Sequence, residues 1–322
     1  MNVGDVDTVR RFQAKSSTRM ENLVKLNESK YADLIRQMIH NSLGDHVVTE
    51  NNVFQEGQSV NWPYLKQIAD DLLLPGSRIE GIEHLQELFR LAQHKKPCLI
   101  LMEHYSNFDI PGLYALLYNA GETGKQIADV IVSIAGVKLN EESKLVLAFT
   151  EIFTRVVLFP SRSFESITDP KQLKEAERRR ARLNIAAMKA LMHLRKSGRI
   201  ILVFPTGTRY RPWDPSTGRG LKEMDTYLKV YSHMVTIAIN GNVLLPNKTG
   251  SMSEDFPKKD IVLYTVSPVQ KCSEFRREAL KTHSEEHDPK QHVVDRVMAV
   301  LAEMHGQAEK VRLPLLKAAG LG

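Results

Sequence analysis

Short, almost wholly apolar runs alternate with longer amphipathic segments beyond about residue 80, and this alternation restricts the chain to a narrow class of folds. The apolar runs are KPCLILME, DVIVSI, RVVLF, RIILVF, VTIAIN and DIVLYTV. The amphipathic segments predict helices over Ile82 to Gln93, after Pro111, over Lys171 to Lys196 and around Val293 to Met304. Apolar strands separated by helices are typical of a buried parallel sheet. We therefore predict an α/β fold, with a mostly parallel mixed sheet flanked by helices.

The first quarter of the chain follows a different pattern. From about residue 15 to 75 it is polar, and its apolar residues recur at three- and four-residue spacing, as at Leu34, Ile35 and Ile39. A second helical pattern runs from Trp62 to Leu72, and Pro75-Gly76 ends it. We predict a small helical N-terminal domain over residues 1–78 and an α/β domain over residues 79–322.

Composition narrows the possible partners. The chain has 322 residues, of which 42% are hydrophobic, so it can bury a large core. Its 44 basic and 38 acidic residues give a formal charge of +6. This mild excess suits an anionic substrate, an acidic carrier protein or an anionic membrane surface, and it is too small to indicate nucleic acid.

The sequence also bears on the compartment. Cys98 and Cys272 are the only cysteines, and Cys98 lies in an apolar run, which favours a reducing, cytosol-like environment. No stretch approaches the roughly 20 apolar residues of a membrane-spanning helix, so we expect a soluble protein or one that lies on a membrane. The N-terminus lacks the apolar core of a signal peptide, and we interpret it as mature sequence.

The segment HYSNFD, directly after the run CLILME, is the strongest candidate for catalysis. On a regular helix His104 and Asp109 would lie about 140° apart, so they can meet only if the chain turns between a strand end and a helix start. Ser106 and Asn107 are turn formers, and Pro111 suits the first turn of a helix. A carboxylate that fixes an imidazole gives a dyad for general-base catalysis. The alternative is a helix N-cap at Asp109 beside an ordinary loop histidine.

A second candidate segment, RIILVFPTGTRYRPWDPSTGRG, follows another apolar run. If both strands are parallel, it lies at the same end of the sheet as His104. Gly207 would let the backbone approach a ligand closely, and Arg209 and Arg211 could converge on a phosphate, whose oxygens match guanidinium groups in geometry and charge. The alternative is a pair of surface arginines beside a turn.

Together, His104-x4-Asp109 and the later FPTGTRYRP resemble the glycerolipid acyltransferases, which share a His-x4-Asp (HX4D) motif and a Pro-x-Gly-x-Arg motif. The stretch GTRYRPWDPSTG is most similar to the soluble, plastid-type glycerol-3-phosphate 1-acyltransferases. The resemblance covers about residues 80 to 270, and the N-terminal part only in outline.

The resemblance implies direct acyl transfer without an acyl-enzyme, in phospholipid biosynthesis. His104, oriented by Asp109, would deprotonate the sn-1 hydroxyl of glycerol 3-phosphate, which attacks an acyl carrier protein or coenzyme A thioester and gives lysophosphatidate. Arg209 and Arg211 would hold the phosphate, and backbone donors near Gly207 or in the helix after Asp109 would stabilise the oxyanion. No metal or other cofactor is implied. Peripheral membrane contact and a location in the cytoplasm or, for a plant mature form, the plastid stroma are expected.

Two positions bear on how far the resemblance extends. Thr206 agrees with the small hydroxyl residue of the plastid type, whereas membrane-bound relatives usually have Glu there. The plastid type also places a Lys-His pair between the two motifs as phosphate ligands. The best local match here is the segment Ser161-Arg162-Ser163-Phe164, in which only Arg162 could replace that charge.

Three further questions are whether the chain binds a metal, what its basic run contacts and which other functions the sequence allows. His283-Ser284-Glu285-Glu286-His287 fits the pattern His-x-x-Glu-His of some zinc proteases, but its polar surroundings favour a solvated loop. The basic run Arg178 to Arg182 is expected to be a solvated face, although such a run can also dock an acidic carrier protein or anionic headgroups. Acylation of lysophosphatidate or another alcohol, and a non-catalytic module that binds phospholipid or acyl carrier protein, are the alternative functions.

Overall fold

The computed structural model describes residues 25–43, 47–160, 169–248, 254–283 and 288–321. The strands are β1 (Phe54–Gln55), β2 (Arg78–Glu80), β3 (Cys98–Met102), β4 (Ile131–Gly136), β5 (Arg155–Leu158), β6 (Ile200–Val203), β7 (His233–Asn240), β8 (Leu244–Leu245), β9 (Phe256–Pro257), β10 (Leu263–Val266) and β11 (Gln270–Lys271). The α-helices are α1 (Ala32–Asn41), α2 (Trp62–Leu72), α3 (Ile82–Gln93), α4 (Asp109–Asn119), α5 (Glu122–Val130), α6 (Lys138–Glu141), α7 (Lys144–Thr150), α8 (Pro170–Leu194), α9 (Met224–Val230), α10 (Cys272–Leu280) and α11 (Pro289–Ala318).

Within these ranges, nine strands form one mixed sheet. Eight of them follow the order β1-β5-β4-β6-β3-β7-β10-β2, and β11 pairs with β7. The central pairs β5–β4, β4–β6, β6–β3 and β3–β7 are all parallel, whereas β1, β10 and β11 run antiparallel to their neighbours β5 and β7. The predicted α/β fold with a mostly parallel mixed sheet is therefore confirmed.

Strand β3 is apolar throughout because helices cover both of its faces. Cys98 and Ile100 point into one core cluster, which contains residues of α2, α3 and α4, while Leu99 and Leu101 point into a second cluster with α8, α9 and α11. All five residues of β3 are inaccessible to solvent. Burial on both faces removes the alternation of polar and apolar residues that a half-exposed strand would show.

The register of the central strands places the two candidate motifs together. Leu101 of β3 lies beside Val203 of β6, and the two strands are parallel neighbours. The segments that follow them, which begin at Glu103 and Phe204, therefore leave the sheet at the same edge. No helix in the described ranges combines the length and the apolarity that crossing a membrane requires.

One helix begins earlier than the sequence indicates. We predicted a helix after Pro111, but α4 begins at Asp109, so that Pro111 is its third residue. Proline is tolerated there because the first turn of a helix has no internal partner for its N–H groups.

Residues on both sides of the predicted boundary at residue 78 contribute to the same core. Strand β1 pairs with β5 of the main sheet, and the ring of Trp62 in α2 lies 6.2 Å from that of Tyr114 in α4. Helices α1 and α2 contain the periodic apolar residues that the sequence showed around Leu34 to Ile39 and from Trp62 to Leu72, and residues 1–24 lie outside the described ranges. The division into two domains stays a prediction.

Candidate active site

His104 and Asp109 meet across a tight loop between β3 and α4. Nδ1 of His104 lies 2.8 Å from Oδ2 of Asp109. The same carboxylate oxygen accepts the backbone N–H groups of Tyr105 at 2.7 Å and Ser106 at 2.9 Å. Asp109 is the first residue of α4, and its side chain turns back to the preceding loop rather than capping the helix. The N-cap alternative therefore does not describe this carboxylate.

The imidazole of His104 is held in one orientation from two sides. Its ring stacks on that of Phe204, with 3.8 Å between centroids and an angle of 11° between planes. Because a carboxylate only accepts hydrogen bonds, the contact with Asp109 places the proton on Nδ1 and leaves the lone pair on Nε2. Burial lowers the pKa of His104, Asp109 opposes this shift, and the charges of Arg209 and Arg211 add to it. The ring is therefore neutral at neutral pH and able to accept a proton.

A tyrosine in β10 forms a hydrogen bond with the backbone at the start of α4. The hydroxyl of Tyr264 donates a 2.8 Å hydrogen bond to the carbonyl oxygen of Asp109. Burial raises the pKa of Tyr264 well above its ordinary value, so the hydroxyl keeps its proton. A Cβ atom at position 112 would lie 2.5 Å from the hydroxyl oxygen of Tyr264, which explains why this position of the helix is a glycine. The backbone of Asp109 is thus fixed independently of its side chain.

The segment after β6 packs directly on the histidine loop. The backbone N–H of Tyr210 donates to the carbonyl oxygen of His104 at 2.8 Å. Tyr210 lies between Arg209 and Arg211, and the positive charges of both arginines contribute to the lowered pKa of His104. The structure therefore brings the two sequence-predicted segments to a single site.

The two arginines differ in their surroundings. Arg209 is only 8% exposed, and its Nη1 lies 2.5 Å from Oδ2 of Asp255, a fully buried carboxylate. Asp255 also accepts the side-chain amide of Asn107 at 3.2 Å, so it joins Arg209 to the histidine loop. Arg211 is half-buried, and in the described part of the chain no carboxylate pairs with its side chain. Arg211 is therefore the freer positive charge, and Arg209 is fixed in place.

Gly207 is required by the turn in which it lies. Its φ of +63° is in the left-handed region, and a Cβ atom there would lie 2.5 Å from Cδ1 of Leu221. Its N–H donates to the carbonyl oxygen of Phe204 at 2.9 Å. The N–H of Gly207 is therefore bonded within the turn, and the contribution of Gly207 and of backbone donors near it to ligand binding stays a prediction.

Two sequence predictions fall outside the described residues. Arg162, the candidate third phosphate ligand, lies in the segment 161–168, and residues 284–287 of the His-x-x-Glu-His pattern lie in another such segment. In the parts of the chain with a described structure, no group of three or more His, Cys, Asp or Glu side chains could hold a metal ion. The role of Arg162 stays a prediction.

Comparison with known proteins assigns the family. The model of the family described as Acyltransferase matches residues 76–266, more than half of the chain, and this range includes His104, Asp109, Arg209 and Arg211. The chain belongs to the acyltransferase family. This membership supports acyl transfer in glycerolipid synthesis, and it does not distinguish the plastid-type members from the others. No curated protein matches the chain at a significant level.

Behind the histidine of this acyltransferase lies a buried polar network that the sequence analysis missed. Oε2 of Glu103 accepts the backbone N–H of Ile239 at 2.7 Å and lies 3.0 Å from Nδ1 of His305 in α11. Oε1 of Glu103 accepts the hydroxyl of Tyr105 at 2.9 Å. Residues on both sides of His104 are thus tied to β7 and α11. A signal was present, since His305 continues the buried stripe of Val297 and Leu301 at four-residue spacing.

The pair of His305 and Glu103 makes the stability of this acyltransferase depend on pH. Burial lowers the pKa of His305, but the Glu103 carboxylate, with a smaller contribution from Glu309, outweighs burial and holds this pKa above its ordinary value. The charged pair therefore contributes fully below the unfolded-state pKa of about 6.5, and its contribution is lost as the pH rises through the higher folded-state pKa. At mildly acidic pH, replacing His305 by Gln should lower the free energy of unfolding by about 3 kcal/mol, because the substitution leaves the buried charge of Glu103 unpaired.

Urea titration of the wild type and His305→Gln across the range from mildly acidic to alkaline pH measures this effect. We expect the difference in unfolding free energy to shrink as the pH rises. The exposed His94→Gln is the matched control and should follow the wild type. A difference that stays constant across the range would contradict a charged pair.

Proposed function

We propose that this acyltransferase moves a fatty acyl group from an acyl carrier protein or coenzyme A thioester to the sn-1 hydroxyl of glycerol 3-phosphate, giving lysophosphatidate. The observation that carries the proposal is one site at the sheet edge, where an imidazole is held through Nδ1 and its backbone carbonyl accepts the N–H of Tyr210, the residue between Arg209 and Arg211. A base next to fixed positive charge suits an alcohol that carries a phosphate.

In the proposed reaction His104 accepts a proton at Nε2. The hydroxyl oxygen of glycerol 3-phosphate attacks the thioester carbonyl carbon as its proton passes to the imidazole, and Asp109 stabilises the resulting imidazolium. The carbon–sulfur bond of the tetrahedral intermediate then breaks, and the imidazolium returns the proton to the leaving thiolate. His104 is neutral again after each turnover, and no acyl-enzyme forms.

The arginines take different parts in the proposed binding of the phosphate. Arg211 has no paired carboxylate among the described residues, so its guanidinium group is available to bind two phosphate oxygens. Arg209 adds positive charge at the site, while Asp255 fixes its position. The 8% exposure of Arg209 leaves little room for it to move toward a ligand. We therefore assign the direct phosphate contact to Arg211.

A product assay tests the proposal. The purified chain is given glycerol 3-phosphate or lysophosphatidate as acceptor, each with acyl carrier protein and coenzyme A thioesters as donor. We expect lysophosphatidate from glycerol 3-phosphate and little phosphatidate from lysophosphatidate. Product from lysophosphatidate alone would show that the acceptor is wrong, and binding of these ligands without any product would favour a non-catalytic module.

A further inference from the structure

Helix α8 bears an exposed apolar stripe on the side that faces away from the sheet. Ile185, Met188 and Met192 are 59%, 42% and 48% exposed. Their spacing of three and four residues places them in one line along the helix. The opposite side of α8 packs on the core through Leu183, Ala187, Leu191 and Leu194. The exposed stripe is therefore additional to the residues that hold α8 on the protein.

The same side of α8 is strongly basic. Helix α8 contains seven Arg and Lys residues, and its two acidic residues, Glu175 and Glu177, lie toward its start. Three of the cations beside the stripe are exposed: Arg178, Arg182 and Lys189. At 100° per residue, each lies within about 60° of Ile185 around the helix axis. We call the three apolar residues and these three cations the docking face of α8.

We infer that the docking face binds the surface of an anionic lipid bilayer. A helix that lies in the membrane interface inserts apolar side chains at the boundary of the headgroups and acyl chains, while Lys and Arg contact anionic headgroups. The docking face offers both on one side of one helix. Exposed apolar patches also occur at protein–protein interfaces, so an acidic protein is the alternative that the test separates from a bilayer.

The position of α8 relates the docking face to the site. Because α8 connects β5 to β6, which run in the same direction, it begins at the edge of the sheet that carries His104. A bilayer on the docking face would therefore border that edge. Such an arrangement suits an enzyme whose product bears a fatty chain, and this point alone rests on the proposed function.

Vesicle sedimentation tests the inference without any measurement of activity. The full chain is mixed with vesicles of phosphatidylcholine alone or with vesicles of phosphatidylcholine and an equal amount of phosphatidylglycerol. We expect binding to the mixed vesicles, weakening as salt is raised. Arg178→Gln combined with Lys189→Gln should lower the partition coefficient about 30-fold, since each cation near an anionic surface contributes about fivefold. Ile185→Ser combined with Met188→Ser should weaken binding at every salt concentration.

The matched control removes the same charge from the opposite face of the sheet, as Arg90→Gln with Lys125→Gln in α3 and α5. This control should bind like the wild type. Equal loss of binding in the control and in the docking-face variant would overturn the inference, as would wild-type binding by both. It would also be overturned if the wild type bound neither kind of vesicle. In that case, slower transfer from acyl carrier protein but not from coenzyme A in Arg178→Gln with Lys189→Gln would indicate an acidic protein partner. Loss of activity toward every acceptor, with vesicle binding intact, would count against the proposed function alone.

Discussion

Replacing His104 by alanine is expected to lower kcat about 10²- to 10⁴-fold, the range that a positioned general base supplies. The fold should survive, because Oδ2 of Asp109 keeps its backbone donors Tyr105 and Ser106, and the hydroxyl of Tyr264 still supports the start of α4. Loss of the ring stacked on Phe204 should cost about 1 kcal/mol. We therefore expect the thermal midpoint to fall by only about 2 °C.

Steady-state kinetics and a thermal melt of the same preparation check this prediction, with the exposed His94→Ala as the matched control.

The pH profile of the wild type adds a second test. Because the pKa of His104 is lowered, the acid limb of kcat/KM should lie below about pH 6.5, the ordinary value for histidine. Near-normal turnover in His104→Ala would end the general-base assignment, and an acid limb well above that pH would contradict the neutral imidazole.

Replacing Arg211 by alanine is expected to raise the KM for glycerol 3-phosphate about 10- to 100-fold, with little change in the KM for the acyl donor. A hydrogen bond to a charged group is worth about 1.5–3 kcal/mol, which corresponds to a change of this size in binding. Arg211→Lys should recover only part of the loss, because an ammonium group cannot bind two phosphate oxygens as a planar fork does.

Arg209 provides the contrast that separates binding from stability. Arg209→Ala would leave the buried carboxylate of Asp255 unpaired, so it should lower the free energy of unfolding by about 3–5 kcal/mol. Arg211→Ala should leave the thermal midpoint unchanged, and the exposed Arg219→Ala in the same segment should alter neither property. Equal effects of Arg211→Ala on the KM of donor and acceptor would argue against phosphate binding by this residue.

Much of the architecture could be predicted from the sequence because it depends on local patterns. A window of a few residues is enough to recognise the apolar runs of β3 and β6 and the periodicity of α3. Ser106 and Asn107 indicate the turn between His104 and Asp109 in the same way. Pro111 lies in the first turn of α4, as the preference of proline for that turn indicates, although the helix begins two residues earlier, at Asp109.

The partners that fix the candidate site are separated from it by long stretches of chain. Asp255 pairs with Arg209 across 46 residues, and His305 reaches Glu103 across 202 residues. No local spacing relates such residues, because their contact depends on which strands are neighbours and on how α11 packs against β7. The unequal surroundings of Arg209 and Arg211, two positions apart, could not be read from a motif in which both are arginines.

The amino-acid sequence by itself determined the α/β class, the order of the elements and the pairing of His104 with Asp109, because each follows from hydrophobic periodicity or turn chemistry within a short window. Tertiary structure alone decided that β6 lies beside β3, that Asp255 fixes Arg209 while Arg211 has no such partner among the described residues, and that α8 turns an apolar and basic face outward. These features depend on packing between distant segments, where the burial of one side chain is set by residues that no local pattern specifies.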